Sequence, residues 1–119
     1  MYNLRWSLAN DALQVIQPDI FYFGGMVRSM KVARMAAALN RPCTPHMSGG
    51  GLGHYYLLHF LSSLKNAGPH HEYKGTLSLP VTRTDDGSLN PVSGKSAVPT
   101  GSGLGLTFDP AWLAKAQTV

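Results

Sequence analysis

Three residues that can move protons stand at nearly equal intervals along the chain. Asp19 and His46 are 27 residues apart, and His46 and Glu72 are 26 residues apart. Carboxylates and imidazoles are among the side chains that most often act as general acids and bases in proteins. Each residue alone has an ordinary structural explanation, as a turn residue, a strand-end histidine or a surface acid. Their regular spacing instead favours a single proton-transfer site.

The same spacing predicts the elements that position these residues. In a (β/α)8 barrel of about 250 residues, one strand, loop and helix together take roughly thirty residues, and the strand ends face one mouth. We therefore predict parallel strands at residues 13–17, 41–45 and 70–73, which bring the three candidates to one edge. The predicted fold class is α/β, and a chain of 119 residues holds less than half of such a barrel.

Two predicted helices connect these strands. The first follows Gly24 and Gly25 and has one apolar and one basic face. Its predicted core residues are Val32, Met35, Ala36 and Leu39, and its predicted exposed residues are Arg28, Lys31 and Arg34. The second spans residues 55–64 and is apolar nearly all round, which is typical of a helix covered by other structure. The end of a further helix is predicted within residues 3–13, and a last helix at residues 110–115, capped by Asp109.

Charge and composition argue against several classes of function. The basic residues give a net charge of +4 but form no run, so nucleic-acid binding is not predicted. No apolar stretch reaches the roughly 18 residues of a membrane span, and the N-terminus lacks a signal-peptide pattern. We therefore predict a soluble, cytoplasmic protein without a membrane partner. The one cysteine, Cys43, is predicted to pack as a small apolar side chain in a buried strand rather than to act as a nucleophile.

The glycine-rich loops and the other histidines do not match the patterns of nucleotide-phosphate or zinc sites. Residues 48–53 and 101–105 fit neither of the glycine patterns that bind nucleotide phosphates. His54 and His59 are five residues apart, off a common helical face, and the chain has no H-E-x-x-H motif. A zinc centre built from this chain alone is therefore not predicted.

Several motifs, in order along the chain, resemble the C-terminal part of the enolase superfamily, in the branch of mandelate racemase and the sugar-acid dehydratases. They are Gln-Pro-Asp at 17–19 with Gly-Gly at 24–25, Pro-His at 45–46 with a Ser-Gly loop and Leu-Gly, Glu72, and Pro-Thr-Gly-x-Gly-Leu-Gly-Leu-x-x-Asp at 99–109. The resemblance covers roughly residues 7–116. It implies that residues 1–75 hold strands six to eight of a modified barrel. It also implies that residues 76–119 form an extended arm and short helix returning toward an N-terminal capping domain.

The resemblance also implies a reaction. Enzymes of this family remove the proton α to a carboxylate and form an enediolate that Mg²⁺ stabilises. By position, His46 matches the general base or acid, and Asp19 matches the residue that orients its ring. Glu72 matches an acid that, kept protonated by a raised pKa, hydrogen-bonds the substrate carboxylate. His46 and Glu72 are thus also the expected contacts to a small substrate of the sugar-acid class, and dehydration and racemisation both stay open.

The metal ligands of the family are acids on strands three to five. Upstream of Asp19 this chain contains one carboxylate, Asp11, and no lysine. We therefore expect Mg²⁺ in the full-length family enzyme, which by family is a lyase or a racemase, no metal ligand in this chain, and no Mg²⁺ bound by this chain alone. Without the metal-ligand strands, this chain alone is expected to be inactive. The full-length protein is expected to form homo-oligomers.

Two other functions stay open at this point. One is a non-catalytic remnant or isoform that only pairs with a barrel partner. The other is a cycloisomerase of the same superfamily, which is less favoured because those enzymes typically use lysines. The segment 90–97 looks inserted relative to the family, and Ser102 stands where the family usually has proline, which bears on contacts with the capping domain.

Overall fold

The computed structural model of the protein describes residues 2–47, 51–75, 81–83 and 90–117. The chain divides into two compact units, Met1–Lys74 and Gly75–Val119. Among the described residues, no helix is both long and apolar enough to cross a membrane.

The first unit contains three helices and a small set of parallel strand contacts. The helices are α1 (Tyr2–Ala9), α2 (Gly25–Ala37) and α3 (Leu52–Ser62). Ile16 pairs in parallel with Cys43, and Cys43 pairs in parallel with Ala67. Because α2 and α3 lie between successive partners, the unit is two consecutive βα units. The predicted α/β class and its order of strands and helices are confirmed.

The backbone hydrogen bonds establish this parallel register. Ile16 N–H donates to the Pro42 carbonyl at 3.1 Å, and Thr44 N–H donates to the Ile16 carbonyl at 2.9 Å. Cys43 in turn donates to the Asn66 carbonyl at 2.8 Å and accepts from Gly68 N–H at 3.0 Å. Cys43 is buried, as predicted, and burial raises the pKa of its thiol to about 12. Its thiol therefore stays protonated and packs as a small apolar group.

The third strand lies earlier than predicted. The sequence predicted it at residues 70–73, but the pairing falls at Ala67 and residues 70–74 belong to no helix or strand. The Asn-Ala-Gly-Pro pattern at residues 66–69 is typical of a turn, but Gly68 lets the chain run close to the middle strand, where an added Cβ would collide with Cγ2 of Thr44.

Two helix ends also differ from the prediction. Helix α1 ends at Ala9, because Asp11 adopts a left-handed φ of 58° that a helix cannot include. Helix α2 ends at Ala37, and Asn40, with φ of 54°, completes a Schellman motif in which Arg41 N–H donates to the Ala36 carbonyl at 2.9 Å. Leu39 therefore lies beyond the helix and is 43% exposed, so its predicted place in the core is wrong.

The core of the first unit is one apolar cluster built around α2 and α3. Val32 and Ala36 are buried as predicted and Met35 packs against the cluster, while the predicted basic face of α2 is exposed. The buried members are Leu8, Ile16, Ile20, Val32, Ala33, Ala36, Cys43, Met47, Leu57 and Phe60. The cluster joins both helices to the strand contacts, so the strand ends are fixed by the same packing that holds the helices.

The second unit contains two short strands and one short helix. Strand β1 (Val81–Arg83) pairs antiparallel with β2 (Leu106–Phe108). Helix α4 (Pro110–Leu113) begins as predicted, because the Asp109 carboxylate accepts a hydrogen bond from Ala111 N–H at 2.9 Å and proline occupies the first turn. The strand and turn predicted at residues 76–79 and 86–87 lie outside the described residues.

Candidate active site

The parallel register brings the three candidate residues to the same edge of the strands. Asp19 and His46 each come three positions after a paired residue, Ile16 and Cys43. Glu72 comes five positions after the paired Ala67, since the third strand begins early. In parallel strands the C-terminal ends meet at one edge, so this arrangement can form a site.

His46 and Glu72 are in direct contact. Nδ1 of His46 lies 2.9 Å from Oε2 and 3.1 Å from Oε1 of Glu72. The same Oε2 accepts a hydrogen bond from the backbone N–H of Met47 at 2.7 Å. Pro45 and Met47 are both buried, whereas the His46 side chain is 51% exposed. A buried backbone thus presents a half-exposed imidazole that one carboxylate holds in place.

Glu72 is ionised in this arrangement. The Met47 N–H bond, followed by the His46 contact, lowers the pKa of the Glu72 carboxyl below its ordinary value. The sequence-based expectation of a protonated Glu72 with a raised pKa is therefore wrong. The reason is that the carboxylate is 40% exposed and accepts two hydrogen bonds, both of which favour its charged form.

The charge of Glu72 fixes the tautomer of His46. An ionised carboxylate can only accept hydrogen bonds, so Nδ1 of His46 must carry the proton of their shared bond. In the neutral ring Nε2 then has a free lone pair. This is the form of histidine that can act as a general base.

Asp19 shapes the loop after the first strand. Its Oδ1 accepts hydrogen bonds from the backbone N–H of Phe21 at 2.7 Å and of Tyr22 at 3.1 Å. Its carbonyl also accepts from Phe23 N–H at 2.9 Å. This is the turn role that its place after Pro18 suggests. The described contacts join His46 to Glu72, and the hydrogen bond between Asp19 and His46 stays a prediction.

Two contributors to the site were missed by the sequence reasoning. Met47 acts through its backbone N–H, which every residue type except proline has, so no sequence signal could have found it. Tyr73 follows Glu72, and its ring centroid lies 5.3 Å from that of His54 in an edge-to-face arrangement. The adjacency of Tyr73 to the candidate acid was the available signal.

The described residues do not provide a magnesium site. In that part of the chain, no three histidine, cysteine, aspartate or glutamate side chains are close enough together to hold a metal ion. Mg²⁺ prefers oxygen ligands in octahedral geometry. The carboxylate of Glu72 is already bound to the His46 ring nitrogen and a backbone N–H.

Comparison with known proteins agrees with this arrangement of strands and helices. The sequence profile of the enolase C-terminal domain-like family matches residues 1–112. The chain belongs to this family. The match confirms the resemblance seen in the motifs and the assignment to the C-terminal part of an enolase-type barrel.

Individual relatives include sugar-acid dehydratases and a racemase. Arabinonate dehydratase from Saccharolobus solfataricus is 30% identical over 109 residues, which are 87% of this chain and 28% of the relative. A candidate racemase from Roseobacter denitrificans superposes with a TM-score of 0.77 at 27% identity, over 98% of this chain and 33% of that one. Rhamnonate dehydratase from Gibberella zeae, complexed with Mg, superposes with a TM-score of 0.57 at 31% identity, over 96% and 29%. The chain therefore spans about a third or less of the length of these relatives.

Proposed function

We propose that this chain supplies the proton-transfer residues of an enolase-superfamily enzyme that removes the proton α to the carboxylate of a sugar acid. The observation that carries the proposal is the contact of 2.9 Å between His46 Nδ1 and Glu72. It supports a neutral imidazole with a free Nε2 at the carboxyl edge of the strands, which is the site expected of a barrel enzyme. The sugar-acid substrate class comes from the dehydratase relatives.

In this proposal His46 is the base. Its Nε2 takes the α-proton, the electron pair of the C–H bond moves toward the substrate carboxylate, and the ring becomes an imidazolium. Glu72 stabilises that charge across the Nδ1–H bond. In a dehydration the imidazolium proton then leaves with the β-hydroxyl as water, whereas a racemisation requires a second acid that delivers a proton to the opposite face of the same carbon. General base catalysis of this kind contributes roughly 10²–10⁴-fold to a rate.

The proposed role of Glu72 differs from the one the family resemblance implied. An ionised Glu72 repels a substrate carboxylate, so it does not bind the substrate as a hydrogen-bond donor. It instead fixes the tautomer and orientation of His46. Asp19 keeps its predicted place beside His46, and its two turn hydrogen bonds hold the first loop in position.

The proposed activity also includes a requirement for Mg²⁺, which rests on the family resemblance and on the magnesium complex of rhamnonate dehydratase. The described residues of this chain do not fit such a site. The ligands of the ion are therefore residues other than His46 and Glu72.

A second candidate function is pairing with a barrel partner. Ile16 directs its backbone N–H and carbonyl toward the middle strand. The backbone N–H and carbonyl groups of Val15 and Gln17 therefore point to the opposite side, away from the middle strand. Val15 is 42% exposed, and an open groove of about 550 Å³ runs along this edge. An unpaired edge beside an apolar groove favours addition of another strand.

One experiment tests the catalytic proposal. A panel of sugar acids is incubated in D2O with Mg²⁺ and the full-length protein, in which other residues hold the ion, and exchange of the α-proton is followed by ¹H NMR. We expect exchange with the wild type and with His70→Asn, which changes an exposed histidine nearby, and loss of exchange with His46→Asn. Absence of exchange with every acid, or exchange that survives His46→Asn, rejects the proposal.

A further inference from the structure

A buried histidine on helix α3 contacts Tyr73, the residue that follows Glu72. His54 is the third residue of α3 and only 4% exposed. Its ring meets the ring of Tyr73 edge to face, with centroids 5.3 Å apart and planes at 69°. Helix α3 is itself fixed in the core through Leu57 and Phe60. The buried His54 side chain therefore connects the core of the first unit to Tyr73.

The segment that carries Glu72 depends on such contacts. Residues 70–74 belong to no helix or strand, so no regular ladder sets the position of Glu72. Its carboxylate must nonetheless meet both Met47 N–H at 2.7 Å and His46 Nδ1 at 2.9 Å. A fixed ring at the next residue along the chain restricts where that carboxylate can lie.

The contact of His54 with Tyr73 is between their two rings. Among the described residues, Nδ1 of His54 is one of the buried side-chain atoms without a hydrogen-bond partner. Burial also lowers the pKa of His54, so the ring is neutral at neutral pH. The side chain therefore acts as a flat aromatic group packed on Tyr73.

We propose that His54 is a positioning residue: its buried ring, packed edge to face on Tyr73, holds Glu72 against Met47 N–H and His46. The role of the pair in catalysis rests on the proposed function, but the positioning itself does not. His54 acts through Tyr73 and Glu72 and touches no reacting atom.

Two substitutions at position 54 separate the ring from its nitrogens. His54→Phe keeps a flat ring against Tyr73, so Glu72 stays in place. His54→Leu keeps an apolar side chain of similar size but removes the ring contact, so Glu72 loses its fixed distance to Met47 N–H. The pKa of Glu72 then rises toward the value of about 4.3 of a free glutamate.

The test makes two measurements on the intact protein. The titration of Glu72 is followed by ¹³C NMR of its side-chain carboxyl, and the chemical shift of the Met47 amide is recorded. We expect the wild-type curve for His54→Phe and for the control His59→Leu, which changes a partly buried histidine elsewhere on α3. We expect a raised Glu72 pKa and a shifted Met47 amide for His54→Leu. An unchanged Glu72 titration in His54→Leu, or an equal change in His54→Phe, overturns the proposal.

Tyr73→Leu provides the same test from the partner side. Tyr73 is 38% exposed, so its replacement leaves the core of α3 intact even where His54→Leu impairs folding. Tyr73→Leu should raise the Glu72 pKa as His54→Leu does. The variant with both substitutions should show no further rise, because each substitution removes the same contact between His54 and Tyr73. A Glu72 titration unaffected by Tyr73→Leu also overturns the proposal.

The result is independent of the catalytic proposal. If the wild type exchanges no α-proton but the NMR pattern is as expected, the proposed function fails and the positioning role stands. If α-proton exchange depends on His46 but substitutions at position 54 leave the Glu72 pKa unchanged, only the positioning role is rejected.

Discussion

The interactions that stabilise the first unit of the chain differ from those within the second. The first has a buried cluster of apolar side chains and parallel pairings between residues 27 and 24 positions apart, Ile16 with Cys43 and Cys43 with Ala67. The second, where described, has strands of three residues and a helix of four. Its large side chains are mostly half-exposed, as Trp112 at 47% and Leu113 at 49% illustrate.

This difference explains where the candidate site lies. All three candidate residues belong to the first unit, where strand ends are fixed by long-range pairing and a shared core. A proton-transfer site needs such rigid support, because small displacements of the base or its partner lower its efficiency. The second unit, where described, has one short pair of strands and a short capped helix whose residues are not buried, and its predicted return to a capping domain stays a prediction.

The largest expected effect comes from opening a cavity in the first unit. Phe60 is 2% exposed, and Phe60→Ala should lower the opening free energy of first-unit amides by about 3–5 kcal/mol. Trp112→Ala is the matched control in the second unit. It removes a half-exposed ring stacked on Phe108 and should cost about 0.5–1.5 kcal/mol, confined to nearby amides. Amide hydrogen exchange measures both, and equal losses in the two variants would contradict the contrast.

A smaller effect is expected at the close approach of the outer and middle strands. Gly68→Ala forces a Cβ onto Cγ2 of Thr44 and should cost about 1–3 kcal/mol in the same exchange experiment. Thr44→Ser removes that methyl group, so the double variant should recover most of the loss. If Thr44→Ser gives no recovery, the strain at Gly68 has another origin.

The smallest effect concerns acid stability of the first unit. Burial lowers the pKa of His54 below 6.5, so the unfolded chain takes up a proton first and stability falls as the pH drops below that value. Hydrogen bonds lower the pKa of Glu72 below 4.5, so its contribution is complete above pH 4.5 and is lost as the pH falls through the lower folded value. Thermal unfolding against pH should therefore show two successive losses.

Replacing one group separates the two losses. His54→Phe should reduce the slope just below pH 6.5 and leave the loss below pH 4.5 unchanged. Part of the first slope remains, because burial also lowers the pKa of His71. An unchanged slope just below pH 6.5 in His54→Phe would show that His54 already titrates normally.

Sequence spacing predicted the architecture better than it predicted the contacts of the candidate residues. The 27-residue interval located the ends of the first two strands, since one βα unit has a nearly constant length. The third strand was placed too late because its pairing falls at Ala67, inside an Asn-Ala-Gly-Pro segment that is typical of a turn. The end of α2 before Leu39 depends on the backbone angles of Asn40.

The charge state of Glu72 was beyond sequence reasoning for a related reason. A raised pKa requires an apolar or crowded environment, whereas the described Glu72 accepts bonds from a backbone N–H and an imidazole. Neither donor is visible as a motif. The contact between His54 and Tyr73 is also invisible, because it joins a helix to an irregular segment that the sequence presented as a strand.

The central claim is that an ionised Glu72 holds His46 as the tautomer with its proton on Nδ1. The most direct test is ¹⁵N NMR of the His46 ring at a pH where the imidazole is neutral, with Glu72→Gln for comparison. We expect a protonated Nδ1 and a bare Nε2 in the wild type, and a weakened preference in Glu72→Gln, whose amide can itself donate to Nδ1. A wild-type ring with its proton on Nε2 would contradict it.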